Sequence, residues 1–214
     1  MRQAIAALAA ILCAGALQAE DARGTQQAVP DDVWSAMQGT SWHTDMPCPA
    51  RDDLRLLTIP YVDFYADRRD GRMIVSAEVA DDLLSIFADI LSAGYPIQSM
   101  RLVQEFGGDD GLSMAANNTS AFNCRLVAGT NRLSQHALGK ALDINPVQNP
   151  YVTRSGVSPA AGVDFDEPHE RKADVPGVIT AEHPVVRAFK ARGWGWGGDW
   201  SASKDYQHFS ESGK

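Results

Sequence analysis

The chain has 214 residues, 44% apolar and 21% charged, enough for one well-buried core and hardly for two. A formal charge of −8 argues against binding nucleic acid by neutralising phosphates. The acidic balance exerts no pull toward anionic partners and names no partner of its own.

Taken in order, residues 1–19 read as a signal peptide. Arg2 precedes an apolar run from Ala4 to Ala16 that is too short to span a bilayer, and small Ala16 and Ala19 stand before Glu20 and Asp21. The expectation is an exported protein, periplasmic or secreted, with no membrane span once the signal is removed. Cleavage would also remove Cys13, leaving Cys48 and Cys124. An even count in an oxidising compartment suggests one disulfide, with two buried thiols as the alternative. Residues 20–44 read as an N-terminal extension. It carries a short helix from Pro30 to Met37, with Asp31 and Asp32 in the first turn and Gly39 after the last. Residues 45–214 form the main domain.

Within that domain, residues 54–65 favour strand and are interrupted at Pro60, and a charged turn leads to a second strand at 72–75. Ser76 is expected to cap the main helix. Its apolar stripe runs through Val79, Leu83, Ile86, Phe87, Ile90 and Leu91 and ends at Gly94. Segments 97–106, 121–127 and 141–145 read as strands, and 184–192 as a short helix stopped by Gly193. Residues 154–178 show no periodicity and are expected to form a lid or binding loop. Trp194, Trp196 and Trp200 either wall a groove or fill the core. The fold class is α+β: a single domain with a small, mainly antiparallel sheet flanked by helices.

Three of the five histidines, His43, His169 and His183, read as ordinary surface or core residues. His136 differs because Gly139 permits a tight turn before 141–145. In an extended 141–145, Leu142 and Ile144 share one face and Asp143 lies on the other. Asp205 and His208 are three apart, which in a strand places them on opposite faces, so a turn is expected to bring them together. Two imidazoles and a carboxylate are the three protein ligands of a catalytic zinc, with the fourth position left to water. Asp205 is then within reach of that water as general base. By the residues alone, Asp143 is equally well a surface group on a half-buried strand. A non-haem iron triad fits less well, since its first histidine and carboxylate usually sit closer than the seven positions found here.

Ser134, His136, Gly139, Ala141 and Asp143, followed by Asp205 and His208, resemble the signature of zinc peptidases with the hedgehog/DD-peptidase fold. That family holds D-alanyl-D-alanine carboxypeptidases, D-Ala-D-Ala dipeptidases and L-alanyl-D-glutamate endopeptidases. The tryptophan-rich run ending at Trp200 and the Asn149-Pro150-Tyr151-Val152 stretch are similar to its secreted bacterial members, and the resemblance spans roughly residues 45–210. It implies one Zn2+ ion on His136, Asp143 and His208, and Asp205 as catalytic base. It also implies an arginine at the scissile carbonyl, Arg125 with Arg101 as competitor, and Ser134 and Trp196 on the substrate side. A cation there would stabilise the developing oxyanion. The carboxypeptidase and dipeptidase branches tend to carry Glu where Asp205 stands, so the resemblance leans toward an endopeptidase acting on the peptidoglycan stem peptide. The alternatives are a D-alanyl-D-alanine carboxypeptidase and a catalytically silent zinc-containing wall-binding domain. The oligomeric state is left open.

Overall fold

A computed structural model describes residues 23–214, so the signal peptide expected at 1–19 lies outside the described residues. The largest sheet is antiparallel, in the order β1 (Thr25–Ala28), β2 (Leu54–Val62), β3 (Arg68–Ser76). Alternation along its strands feeds two cores. Leu57, Ile59 and Tyr61 of β2 join Met73 and Val75 of β3 in one cluster, while Leu54, Leu56 and Ile74 point into another. Each such side chain taken fully out of water contributes about 1.5–3 kcal/mol. Pro60 pairs with Asp70 and lies beyond Thr58, the last β2 residue paired with β1, so among the described residues β3 is its one strand partner.

The larger core is closed by α2 (Ala80–Ser92), whose Leu83, Ile86, Phe87 and Ile90 are buried as the stripe requires. The helix begins one turn later than expected. Ser76 instead accepts a bond from the Glu78 amide, and Asp81 and Asp82 occupy the first turn. The smaller core receives Val33 and Met37 from α1 (Asp31–Met37). The stretch read as an extension thus contributes a strand and a helix to the same body. Cys48 and Cys124 are bridged across 76 positions, pinning the cover formed by Trp34, Trp42 and Met46 to the sheet. Closing so long a loop contributes about 4 kcal/mol in the chain-entropy account.

Two expected strands are mostly absent. Of 97–106 only β4 (Ser99–Met100) is extended, paired in parallel with β5 (Asn118–Thr119), and a 3-10 turn follows at Val103–Phe106. Between them lies α3 (Asp110–Ala115), capped by the Asp109 side chain. Residues 121–127 form no strand. Phe122, Asn123 and Cys124 donate singly to Ile74, His136 and Ser41, and only a single antiparallel bridge, Leu126 to Leu133, pairs the end of the segment with 132–134.

The site is carried by a small antiparallel sheet in the order β6 (Ala141–Asp143), β11 (His208–Ser210), β9 (Gly195–Trp196). Beside it, β7 (Tyr151–Thr153) pairs with β8 (Gly156–Ser158) on one side and β10 (Lys204–Asp205) on the other. The aperiodic 154–178 segment therefore contains a hairpin strand and a 3-10 turn at Ala160–Phe165. The last helix, α4 (Pro184–Lys190), packs Phe189 against Phe209 with centroids 4.1 Å apart. Among the described residues no helix is long and apolar enough to cross a membrane.

Candidate metal centre

Register brings two of the three candidate ligands together. Asp143 of β6 lies directly opposite His208 of β11, while their neighbours Leu142 and Phe209 face each other in the core with no exposure. His136 arrives from the 3-10 turn His136–Leu138. That turn ends at Gly139 with φ +68, where a Cβ would lie 2.5 Å from the Ser76 amide nitrogen, so only glycine fits. Ser134 Oγ accepts from the His136 amide at 3.1 Å and fixes the entry to the turn.

The donor atoms converge. His136 Nε2 and His208 Nδ1 are 3.2 Å apart, His208 Nδ1 and Asp143 Oδ1 are 3.2 Å apart, and His136 Nε2 and Asp143 Oδ1 are 3.4 Å apart. Those separations match the edges of a tetrahedron around an ion about 2.0–2.1 Å from each ligand. The outer ring nitrogens are engaged by backbone: His136 Nδ1 meets the Ala121 carbonyl at 2.8 Å and His208 Nε2 the Lys214 carbonyl at 3.3 Å. A carbonyl can only accept, so each outer nitrogen carries the hydrogen and each inner one presents a lone pair. Two lone pairs and a carboxylate oxygen face one another inside a buried site. They repel unless a cation lies between them, and the donor set suits zinc.

The ionisation of these groups shows the same demand for positive charge. Burial works against a charged His136, but the Asp143 charge and hydrogen bond outweigh it and raise the imidazole above its usual value. Burial likewise opposes the Asp143 carboxylate, and His136 and His208 more than compensate, holding it far below the usual range.

Asp205 is the group the sequence placed next to this cluster, and β10 delivers it by pairing with Tyr151. Its Oδ1 is sealed from solvent with no hydrogen-bond partner. Burial first, then the charge of Asp143, pushes its carboxyl up to about 7, before the field of any bound cation is counted. Gly197 explains how it fits: a Cβ there would meet the Asp205 carbonyl oxygen at 2.5 Å and its Cβ at 2.8 Å.

The two arginines separate clearly. Arg125 receives the Ser134 amide at its carbonyl at 3.0 Å, pairs with Asp110, and lies close enough to depress both His136 and Asp205 electrostatically. Asp110 also accepts from Asn123 at 2.7 Å, anchoring the carboxylate that holds the guanidinium. Arg101 is bound to Glu105 and stacked on Phe106 at 4.9 Å. The two expected substrate contacts, Ser134 and Trp196, are both buried. Ser134 is 5% exposed and committed to the His136 turn, and Trp196 is 4% exposed, donating to the Tyr206 carbonyl at 2.9 Å and stacking near Phe209. Ser134 thus holds the turn that carries His136, and Trp196 holds the backbone between Asp205 and His208. Trp200, half-buried with its ring 5.4 Å from that of His208, is the tryptophan beside the site.

Residues 128–211 match the family model described as D-alanyl-D-alanine carboxypeptidase. This segment is similar to that peptidase family. The match contains His136, Asp143, Asp205 and His208, and leaves Arg125 just outside. No curated protein and no solved structure is significantly similar to the chain.

Some supporting residues carried no sequence signal. The Ala121 and Lys214 carbonyls belong to every residue type, and Asp110 is one acid among many. Asn145 had a visible clue in its place directly after the metal-site strand. Fully buried at φ +45, it donates to Tyr95 Oη and the Pro96 carbonyl and accepts from the Gln98 amide.

Proposed function

We propose that the protein is an exported zinc metallopeptidase that hydrolyses peptide bonds in the stem peptides of peptidoglycan, as an L-Ala–D-Glu endopeptidase. The observation that carries the zinc reading is the convergence of three lone-pair donors, two of them imidazoles whose outer nitrogens are already committed. A zinc ion held by His136, Asp143 and His208 would bring the pKa of a bound water toward 7 and polarise the scissile carbonyl. Asp205 takes the water's proton and returns it to the leaving amine. Its sealed, unpartnered oxygen and raised affinity for a proton suit that exchange near neutral pH. Arg125, on a carboxylate anchor beside the His136 turn, stabilises negative charge developing on the carbonyl oxygen.

The endopeptidase assignment rests on Asp205, the shorter acid, standing where the carboxypeptidase and dipeptidase branches tend to carry Glu. The description of the matching family favours the second reading, release of a terminal D-Ala. Defined stem peptides incubated with the mature protein, with and without chelator, and analysed by mass distinguish the two. Chelator-sensitive release of L-Ala supports the endopeptidase, and loss of D-Ala alone moves the assignment to carboxypeptidase. Asp205→Ala is expected to keep its metal and lose turnover by about a hundredfold or more. Metal bound with no peptide cleaved would replace the enzyme with a wall-binding domain.

A further inference from the structure

Arg171 lies in the segment the sequence marked as a lid, yet it is only 9% exposed. Its Nη1 donates to the carbonyls of Gln148 and Phe165, both at 3.0 Å. Nη2 donates to Asn149 Oδ1 at 3.1 Å and to the Ile179 carbonyl at 2.8 Å. Its Cζ stands 3.6 Å from the centroid of the Tyr206 ring. Every one of these partners is neutral. Burying a guanidinium without a carboxylate is costly, and burial lowers its pKa to about 10. A lysine could not make this set of contacts, since only a planar fork both stacks and donates to several acceptors at once.

What the arginine joins is informative. Its acceptors come from the approach to β7, the 3-10 turn Ala160–Phe165 and the approach to α4, so it ties both flanks of the loop together. Its flat face covers Tyr206, the residue immediately after Asp205. The Tyr206 amide donates to the Pro150 carbonyl at 3.3 Å, and its carbonyl accepts from Trp196 Nε1 at 2.9 Å. Tyr206 is therefore held at its amide, its carbonyl and its ring, and Asp205 can move little without it.

We infer that Arg171 is a positioning residue for Asp205, and that the 154–178 segment braces the base-bearing turn instead of opening and closing over it. The inference rests on the reading of Asp205 as the base. It assigns no metal-binding role to Arg171, whose contacts are to Tyr206 and the loop and not to the three ligand side chains.

The test uses Arg171→Met, Tyr206→Ala, their double variant and Tyr206→Phe in the metal-loaded protein. The readouts are kcat and KM separately, metal content, and hydrogen exchange at the Tyr206 amide. A misplaced base should cost about a hundredfold in kcat, with KM nearly constant. Metal content should be unchanged in Arg171→Met, and the Tyr206 amide should lose protection. Tyr206→Phe keeps the ring and should behave as the parent. The double variant should be no worse than the poorer single, because both changes break one contact. Unchanged kcat in Arg171→Met overturns the inference, as does joint loss of metal and kcat or multiplicative effects in the double variant. If the parent cleaves no stem peptide, the proposed function falls, and the exchange readout still decides the brace: a Tyr206 amide equally protected in Arg171→Met overturns it.

Discussion

Gly197→Ala places a methyl group against the candidate base, and its effect can be worked from the structure. The new Cβ would stand 2.5 Å from the Asp205 carbonyl oxygen and 2.8 Å from the Asp205 Cβ. Ordinary contact begins near 3.4 Å, so one side must yield by about 0.6–0.9 Å. Gly197 begins the 3-10 turn Gly197–Asp199 directly after β9, and β9 and β10 are each held by two paired residues, to β11 and to β7 respectively. The clash is with the carbonyl and Cβ of Asp205 itself, so part of the displacement falls on the base despite the bracing of Tyr206. Overpacking of this kind destabilises by about 1–3 kcal/mol, and a displacement approaching 1 Å costs up to about a hundredfold in rate. Gly94→Ala is the control: at φ +68 it is strained by about 1–2 kcal/mol, but its Cβ would meet nothing within 4 Å. Urea unfolding and chelator-controlled peptide turnover should show both variants destabilised and only Gly197→Ala slowed, with metal content unchanged. Equal turnover in the two would refute the claim that close backbone approach at Gly197 sets the position of Asp205.

Arg125→Ala should lower kcat by about a hundredfold to a thousandfold, the effect of removing an oxyanion donor, while Arg101→Ala leaves turnover near that of the parent; the reverse order in a peptide assay would return the role to Arg101. His183 gives a pH prediction away from the centre. Burial first, then Arg187, lowers its pKa below 6.5, and its Nδ1 accepts from the Val185 amide at the start of α4. A depressed folded value means its contribution is present above pH 6.5 and lost as pH falls from there through the folded value, so His183→Asn should flatten the decline in urea midpoint between pH 7 and 5. Replacing Cys48 and Cys124 together by serine should cost about 4 kcal/mol in a denaturant titration, and an unchanged midpoint would remove the bridge from the account of stability.

Much of the centre was legible in the chain because metal chemistry restricts residue types and strand geometry restricts spacing. His136, Asp143 and His208 could be chosen from the sequence, and the face carrying Asp143 followed from the apolar demand of Leu142 and Ile144. The stripe of α2, the paired cysteines and the turn before His208 were equally local or combinatorial. Where local patterning misled, tertiary bonding had won. Segments 97–106 and 121–127 are apolar enough for strands, yet their backbone groups found scattered partners and so stayed irregular. The placement of Trp196 against Tyr206 and Phe209, of Arg125 on Asp110, and of Arg171 over Tyr206 depends on residues separated in the chain meeting in space. So does the commitment of both histidines by the Ala121 and Lys214 carbonyls, groups that every residue possesses. The sequence by itself determined which atoms can bind the ion; only the tertiary structure decided which way their lone pairs point, because that direction is set by backbone groups whose positions no side-chain identity encodes.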